Sequence, residues 1–333
     1  MTRAMPQWPR LGLGCATLGT PPPGLADADS EAVIAAAIER GIRFFDVAPL
    51  YGGGVAECRL GRALRASGLP RDEYVLCTKT GVTRPFAQGP IPPGGTRRRE
   101  GDTWDYSGRA TRDSVRRSLE RLGVERLDIV HLHDAENHLD TCLEAWHALD
   151  VMRREGIVGG IGIGSNLPEP VAALLDRAQF DAFLLAGCYT LLTQAGAALL
   201  NRAQRQRIRV VAGGVFNSGV LAAWPPPASS AAPSFHYEPA PAEVIERTGR
   251  VARICAKHAV PIGAAALQFV MRHPAVTTVL IGPRTIAELE QNLAAAGHPI
   301  PDALWTDLEA AGLLPVGTNR RNAPAQSGAV DAH

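Results

Sequence analysis

The chain has 333 residues, 46% of them apolar, and its 34 Lys and Arg residues against 33 Asp and Glu residues give a net charge of +1. This composition is typical of a globular protein with a sizeable core, and the balanced charge offers no broad basic surface for nucleic acid or an anionic membrane. A small-molecule substrate is therefore favoured, with no nucleic-acid or membrane partner.

The cysteines and the first residues indicate the cellular compartment. The six cysteines are scattered, with no CxxC pair and no neighbouring His, so we expect reduced thiols and no metal site. Residues 1–10 include Pro6 and Pro9 and lack the apolar run of a signal peptide, and no apolar segment long enough to span a membrane occurs. These features predict a soluble, cytoplasmic protein.

Apolar runs alternate with amphipathic segments from residue 11 onward. The apolar runs are predicted to be strands at 11–17, 43–46, 74–79, 127–133, 160–166, 182–186, 209–213 and 277–281. Segments with apolar residues at helical spacing are predicted to be helices at 29–41, 57–65, 112–122, 139–154, 169–177, 194–206, 242–257, 262–272 and 286–295.

This alternation predicts an α/β fold. Strands that are apolar on both faces imply a parallel sheet covered by helices, and about eight βα units in roughly 300 residues indicate a single closed (β/α)8 barrel rather than an open doubly wound sheet. We expect the barrel to occupy residues 1–316 and residues 317–333 to form a disordered tail. Two long Pro/Gly-rich segments, 83–108 and 217–239, are expected to be functional loops over the site.

In such a barrel the active site lies at the carboxyl ends of the strands. The residues predicted there are Thr17, Asp46, Lys79, His133, Ser165, Asn166, Gly213, Gly214 and Gly282. Because an isolated buried charge costs several kcal/mol, Asp46 and Lys79 are expected to form an ion pair across the barrel mouth. A purely structural salt bridge is the alternative, since such networks also contain perturbed groups.

Tyr51 follows Asp46 by one turn and is the candidate proton donor and acceptor. A phenol with its ordinary pKa of about 10 is a poor base at neutral pH, but a lysine ammonium beside it stabilises the phenolate. Asp46 would keep Lys79 charged, and His133 would orient a substrate oxygen. Trp104, Asp134 and Phe216 could line a sugar-sized pocket, or simply pack. His131 is interpreted as a core histidine.

These residues resemble the catalytic residues of the aldo-keto reductase family. The resemblance rests on Gly41, Arg43, Asp46, Ala48 and Tyr51-Gly52, on Lys79 in VLCTKTG, on Asp128 to His133, and on Ser165-Asn166. The segments APLYGGGVAECRLGRAL, WDYSGRATRDSVRRSLERLG, AGCYTLLTQ and GGVFNSGVLA resemble the branch of sugar 1-dehydrogenases that also includes pyridoxal 4-dehydrogenase.

The resemblance implies a nicotinamide cofactor. Ser165 and Asn166 would hold the nicotinamide carboxamide, and the segment from Gly282 through Arg284 to Gln291 and Asn292 would hold the adenosine end. Thr17, Asp46, Gly213, Gly214, Phe216 and Asn217 complete the expected cofactor contacts. Glu288 stands where NADP-specific members often have an arginine and would repel the 2′-phosphate, which favours NAD. Arg284 keeps NADP open.

The implied reaction is hydride transfer between the nicotinamide and a sugar-like substrate, with oxidation of an aldose of the L-fucose or D-threo type at C1 to a lactone. Oxidation of pyridoxal and general aldehyde or ketone reduction are alternatives. Two rivals of other classes are a lyase or aldolase using Lys79 as a Schiff-base nucleophile and a non-catalytic dinucleotide-sensing subunit. A monomer or small homo-oligomer is expected.

Overall fold

Eight parallel strands close into a barrel in the computed structural model, which describes residues 8–19, 27–83, 101–226, 233–235 and 238–317. The strands are β1 (Leu11–Gly14), β2 (Phe44–Asp46), β3 (Val75–Thr80), β4 (Leu127–His133), β5 (Val158–Ser165), β6 (Ala182–Ala186), β7 (Arg209–Gly213) and β8 (Val276–Ile281). Each strand pairs with its neighbours in sequence, and β8 pairs with β1 to close the barrel. The predicted (β/α)8 fold is therefore confirmed.

Ten helices are found in the described part of the chain. They are α1 (Asp27–Glu39), α2 (Val55–Ser67), α3 (Gly108–Leu122), α4 (Cys142–Arg154), α5 (Pro168–Leu175), α6 (Ala197–Gln206), α7 (Ala242–Lys257), α8 (Ile262–Met271), α9 (Ile286–Gly297) and α10 (Asp302–Ala310). No single helix in these ranges is long and apolar enough to cross a membrane, and the bent pair α7 and α8 passes such a test together by length and composition only.

Several predicted boundaries were wrong. β1 ends at Gly14 instead of residue 17, because the chain turns there into a short 3-10 helix, Thr17–Gly19. The predicted loop 83–108 overlaps a short hairpin that pairs Val82–Thr83 with Thr103–Trp104. In the predicted loop 217–239, Ser234–Phe235 pairs with Glu238–Pro239. Residues 84–100, 227–232 and 236–237 of these loops, and residues 318–333 of the predicted tail, lie outside the described residues.

The barrel interior changes from apolar to polar along the strands. Trp8 lies at the amino-terminal end, 5.1 Å from the Phe44 ring, and joins an inner apolar cluster that includes Val75, Cys77 and Ile129. Side chains alternate between the two faces of a strand, so the next inward positions are Asp46, Lys79 and His131. The polar groups are thereby concentrated at the carboxyl end of the barrel.

His273, just after α8, makes stability depend on pH. Burial lowers the pKa of His273 to about 4 from its ordinary 6.5, and its Nδ1 accepts a hydrogen bond from the Ala275 amide at 3.2 Å. The unfolded chain therefore binds the extra proton first, and stability is lost as the pH falls from 6.5 toward 4. His273→Asn should reduce this loss in the free energy of unfolding by about 1–2 kcal/mol. The figure is discounted because the ring is partly exposed to solvent.

The measurement is urea unfolding of the wild type and His273→Asn at several pH values between 4 and 7. The exposed His147 provides the control His147→Asn, which should follow the wild type. An unchanged pH dependence in His273→Asn would contradict a neutral buried imidazole.

Candidate active site

Lys79 and Asp46 form the buried ion pair expected from the sequence. Lys79 Nζ donates to Asp46 Oδ2 at 2.7 Å and to the Val47 carbonyl at 3.0 Å, and the two side chains are 1% and 3% exposed. The expectation that they face each other across the barrel mouth was wrong, because they lie on the adjacent strands β2 and β3. On adjacent strands the two side chains are close enough for a direct hydrogen bond.

Each residue of the pair stabilises the charged form of the other. Burial alone would lower the pKa of Lys79, but Asp46 and Tyr51 more than offset it, and the net pKa is raised. Burial raises the pKa of the Asp46 carboxyl, and the Lys79 charge opposes that shift. Lys79 Nζ lies 4.7 Å from the centroid of the Tyr51 ring, and Tyr51 is one of the groups that raise the Lys79 pKa. A protonated lysine thus stands beside the phenol.

The turn that carries Tyr51 is fixed by close backbone packing. Tyr51 opens the 3-10 helix Tyr51–Gly54 between β2 and α2 and is 9% exposed. Gly52 has φ of 65°, and a Cβ there would lie 2.2 Å from the Gly19 carbonyl oxygen. Only glycine combines this left-handed conformation with such an approach, so the turn is held against the segment after β1.

Glu57 lies in the first turn of α2, directly after the turn that carries Tyr51. Its carboxylate is fully buried, accepting a 2.7 Å hydrogen bond from Thr78 Oγ1 and a 2.7 Å hydrogen bond from Arg121 Nε. Thr78 precedes Lys79 on β3, and Arg121 lies on α3. The Glu57 carboxylate therefore joins α2, β3 and α3.

His133 ends β4 beside Tyr51. The two rings meet edge to face, with centroids 6.0 Å apart, and His133 Nε2 lies 3.9 Å from Asp134 Oδ1. His131, two residues earlier, is fully buried, and burial lowers its pKa well below 6.5. His131 is thus a neutral core histidine, as interpreted from the sequence, while His133 faces the phenol.

Tyr106 and Trp104 connect the hairpin after β3 to the loop after His133. The Tyr106 hydroxyl donates to the carbonyls of His133 and, at 3.1 Å, Asp134, while its ring covers Gly81. Trp104 stacks on His138 with ring centroids 6.3 Å apart. These contacts place Trp104 next to the loop that bears Asp134.

Ser165 and Asn166 lie where β5 ends, as predicted. The Ser165 hydroxyl already has protein partners, whereas Asn166 is exposed. Ser165 Oγ donates to Glu136 Oε1 at 2.7 Å and accepts from the Leu167 amide at 3.0 Å. Asn166 is exposed, and its backbone carbonyl accepts a hydrogen bond from Cys188 Sγ at 2.8 Å. Glu136 therefore fixes the direction of the Ser165 hydroxyl proton.

The segment after β7 contains a polar atom without a partner. Gly213 ends the strand, Gly214 is exposed with φ of 62°, and Phe216 is half-buried. Asn217 is 3% exposed, and its Nδ2 donates to the Gly187 carbonyl at 3.4 Å. Its Oδ1 is buried and has no hydrogen-bond partner within the described residues, as expected of an atom that accepts from a ligand.

The segment after β8 places the remaining predicted residues together. Thr17 Oγ1 lies 3.5 Å from the Gly282 carbonyl oxygen. Arg284 Nη2 donates to Glu288 Oε1 at 2.6 Å, the Arg284 amide donates to Glu288 Oε2 at 2.7 Å, and these interactions raise the pKa of Arg284. Gln291 is exposed and Asn292 half-buried on the same helix, α9. The predicted Glu288 carboxylate is therefore bound to Arg284.

Three residues near the site were not among the site residues predicted from the sequence: Glu57, Tyr106 and Glu136. Their importance depends on contacts between separate βα units, which spacing within one unit does not show. A polar residue on the apolar face of a predicted helix was the available signal for Glu57, and the three-residue distance from His133 was the signal for Glu136.

Comparison with known proteins places this geometry in a family. The model of the Aldo/keto reductase family matches residues 10–312. The chain is 38% identical over 324 residues to D-threo-aldose 1-dehydrogenase from Pseudomonas sp., covering 92% of this chain and 95% of the relative. It is 36% identical over 328 residues to pyridoxal 4-dehydrogenase from Microbacterium luteolum, covering 91% and 94%.

A solved structure shows the same fold. The holo form of an aldo-keto reductase from Bacillus halodurans superposes with a TM-score of 0.72 at 24% identity, covering 91% of this chain and 92% of that one. With the match to the family model over nearly all of the barrel, these similarities lead to one conclusion: the chain belongs to the aldo/keto reductase family.

Proposed function

We propose that the protein is an NAD(P)-dependent oxidoreductase that oxidises an aldose at C1 to the lactone. The observation that carries the proposal is the Lys79 ammonium at the barrel mouth, which is hydrogen-bonded to Asp46 and lies 4.7 Å from the centroid of the Tyr51 ring, with His133 beside the phenol. The similarity to D-threo-aldose 1-dehydrogenase supports the substrate class.

Each of these four residues, which we call the tetrad, has a role in this reaction. Tyr51, as phenolate, accepts the proton of the C1 hydroxyl, and the adjacent Lys79 charge stabilises the phenolate. Asp46 keeps Lys79 protonated despite its burial. His133 hydrogen-bonds to the reacting oxygen and holds it against the phenol. A bound nicotinamide supplies the hydride acceptor.

The strand ends fit such a dinucleotide. Asn166 is exposed beside the Ser165–Glu136 contact, where an amide group can hydrogen-bond. Asn217 Oδ1, which has no partner in the described part of the chain, is a ready acceptor, and Arg284 provides a half-exposed cation after β8. Thr17 lies next to Gly282, just after β1, which pairs with the strand that carries Asp46. We therefore assign these residues to cofactor binding.

A Schiff-base mechanism is disfavoured by the surroundings of Lys79. A nucleophilic lysine must be neutral and must reach the carbonyl carbon of the substrate. Lys79 is 1% exposed, its pKa is raised, and its ammonium donates to Asp46 and to the Val47 carbonyl. Borohydride trapping in the presence of an aldose or aldehyde should therefore leave the protein unmodified.

Pyridoxal and simple carbonyl compounds are the second candidate substrates, because the pyridoxal 4-dehydrogenase is nearly as similar in sequence. The test is a screen of L-fucose, D-arabinose, pyridoxal and aliphatic aldehydes with each cofactor, following the absorbance of the reduced nicotinamide. We expect the largest kcat/KM with an aldose. A clear preference for pyridoxal would support the second candidate, and no turnover with cofactor bound would favour the sensing role.

We further propose that the Arg284–Glu288 pair favours NAD over NADP. Glu288 occupies the guanidinium of Arg284 with two hydrogen bonds and adds a negative charge where a 2′-phosphate would approach. Glu288→Gln should therefore raise the affinity for NADP by about 10-fold, because the 2′-phosphate then meets an Arg284 guanidinium that no carboxylate neutralises.

The measurement is the Kd of NADP and NAD from quenching of protein fluorescence. Glu290, on the same helix, pairs with Arg40, so Glu290→Gln is a control that should change neither Kd. Equal effects of the two variants would exclude a specific role for Glu288.

A further inference from the structure

Asp134, directly after the catalytic candidate His133, adopts an uncommon backbone conformation. Its φ of 51° and ψ of 53° place it in the left-handed region, which costs a non-glycine residue of order 1 kcal/mol. Asparagine and glycine adopt this region more easily than aspartate does in many turns. An aspartate here therefore suggests that its carboxylate has a use.

The conformation is held from two sides. The Asp134 amide donates to the Gly164 carbonyl on β5 at 2.9 Å, and its own carbonyl accepts from the Tyr106 hydroxyl at 3.1 Å. Tyr106 is 2% exposed and also binds the His133 carbonyl, so the two consecutive peptide groups are fixed together. The direction of the Asp134 side chain is thus set relative to His133.

This arrangement leaves the carboxylate beside the tip of the His133 ring. Asp134 Oδ1 lies 3.9 Å from His133 Nε2, which is beyond hydrogen-bond distance. The side chain of Asp134 is 15% exposed, and that of His133 is 8% exposed. Two groups at this separation can each contact one of two neighbouring oxygens on a single substrate, His133 the reacting oxygen and Asp134 the next one.

We propose that Asp134 is a specificity-determining residue that accepts a hydrogen bond from the hydroxyl on the carbon next to the reacting carbon. The substrate class is then aldoses with a free 2-hydroxyl. This inference rests on the proposed oxidation at C1. A carboxylate accepts such a bond strongly, and a substrate without the hydroxyl would lose this hydrogen bond to a charged group.

The test compares D-arabinose with 2-deoxy-D-ribose, which differ only in the 2-hydroxyl. We expect the wild type to prefer D-arabinose in kcat/KM by about 10- to 100-fold. Asp134→Gly removes the carboxylate and suits the left-handed backbone, so its preference should fall to about one tenth of the wild-type ratio or less. Asp134→Asn keeps an acceptor oxygen and should fall between them. Comparing ratios cancels the different intrinsic reactivity of the two sugars.

Asp140 lies in the same loop, is exposed and pairs with Arg177, so Asp140→Asn should keep the wild-type ratio. Thermal unfolding confirms that each variant is folded. An equal loss of kcat/KM on both sugars in Asp134→Gly would overturn the role of Asp134, and so would a wild type with no preference between them. Turnover of simple aldehydes but of neither sugar would also overturn it. Absence of turnover with every sugar and aldehyde would contradict the proposed function itself.

Discussion

Tyr51→Phe is expected to lower kcat by about 10²- to 10⁴-fold, the usual contribution of a positioned acid–base group. The phenol ring and its contact with Lys79 stay in place, and only the proton-carrying hydroxyl is lost. Because the ring is retained, the Kd of the nicotinamide cofactor should change by less than about 2-fold, a separation that general misfolding would not produce.

Tyr74→Phe is the matched control for this variant. Tyr74 is a buried tyrosine that precedes β3, at the opposite end of the barrel, and it packs against Arg71 and Phe45. Its replacement should leave kcat unchanged. Retention of most activity in Tyr51→Phe would remove Tyr51 from the reaction and with it the assigned role of Lys79.

Lys79→Met should abolish measurable turnover and also destabilise the protein. The phenol loses the adjacent charge, and Asp46 is left buried without its partner, which costs about 3–5 kcal/mol. Burial raises the pKa of Asp46, so the folded variant binds a proton more readily than the unfolded chain. The stability deficit of Lys79→Met relative to the wild type should therefore shrink as the pH is lowered from 7, measured by urea unfolding of both proteins.

The double variant Asp46→Asn with Lys79→Met separates structure from catalysis. Replacing both charges removes the unpaired carboxylate, so most of the lost stability should return. Turnover should not return, because no charge then stands beside Tyr51. Recovery of both properties would identify the pair as a structural salt bridge only, the alternative that the sequence left open.

The fold was predictable because its signals are local. Strands such as Leu127–His133 and Arg209–Gly213 are short apolar runs between amphipathic helices, and their bounds agree with the prediction. α10 was not predicted, although Leu304, Trp305 and Leu308 lie at helical spacing. The domain boundary at residue 316 stays a prediction.

The tetrad was predictable for a related reason. A parallel barrel brings the carboxyl ends of its strands together, so Asp46, Lys79 and His133 could be grouped from their positions in the sequence alone. What could not be predicted is how their neighbours direct them. The contact of Glu136 with Ser165 and that of Tyr106 with His133 join different βα units, and their geometry depends on packing between those units.

The most direct test of the central claim follows the hydrogen at C1 of the substrate. The protein is incubated with NAD and L-fucose carrying deuterium at C1, and the reduced cofactor is isolated and examined by mass spectrometry. Deuteride transfer from a C1 carbon whose hydroxyl is held by Tyr51 and His133 predicts one deuterium per reduced cofactor and formation of the lactone. Deuterium released to water, or retained in the sugar without cofactor reduction, would contradict this function.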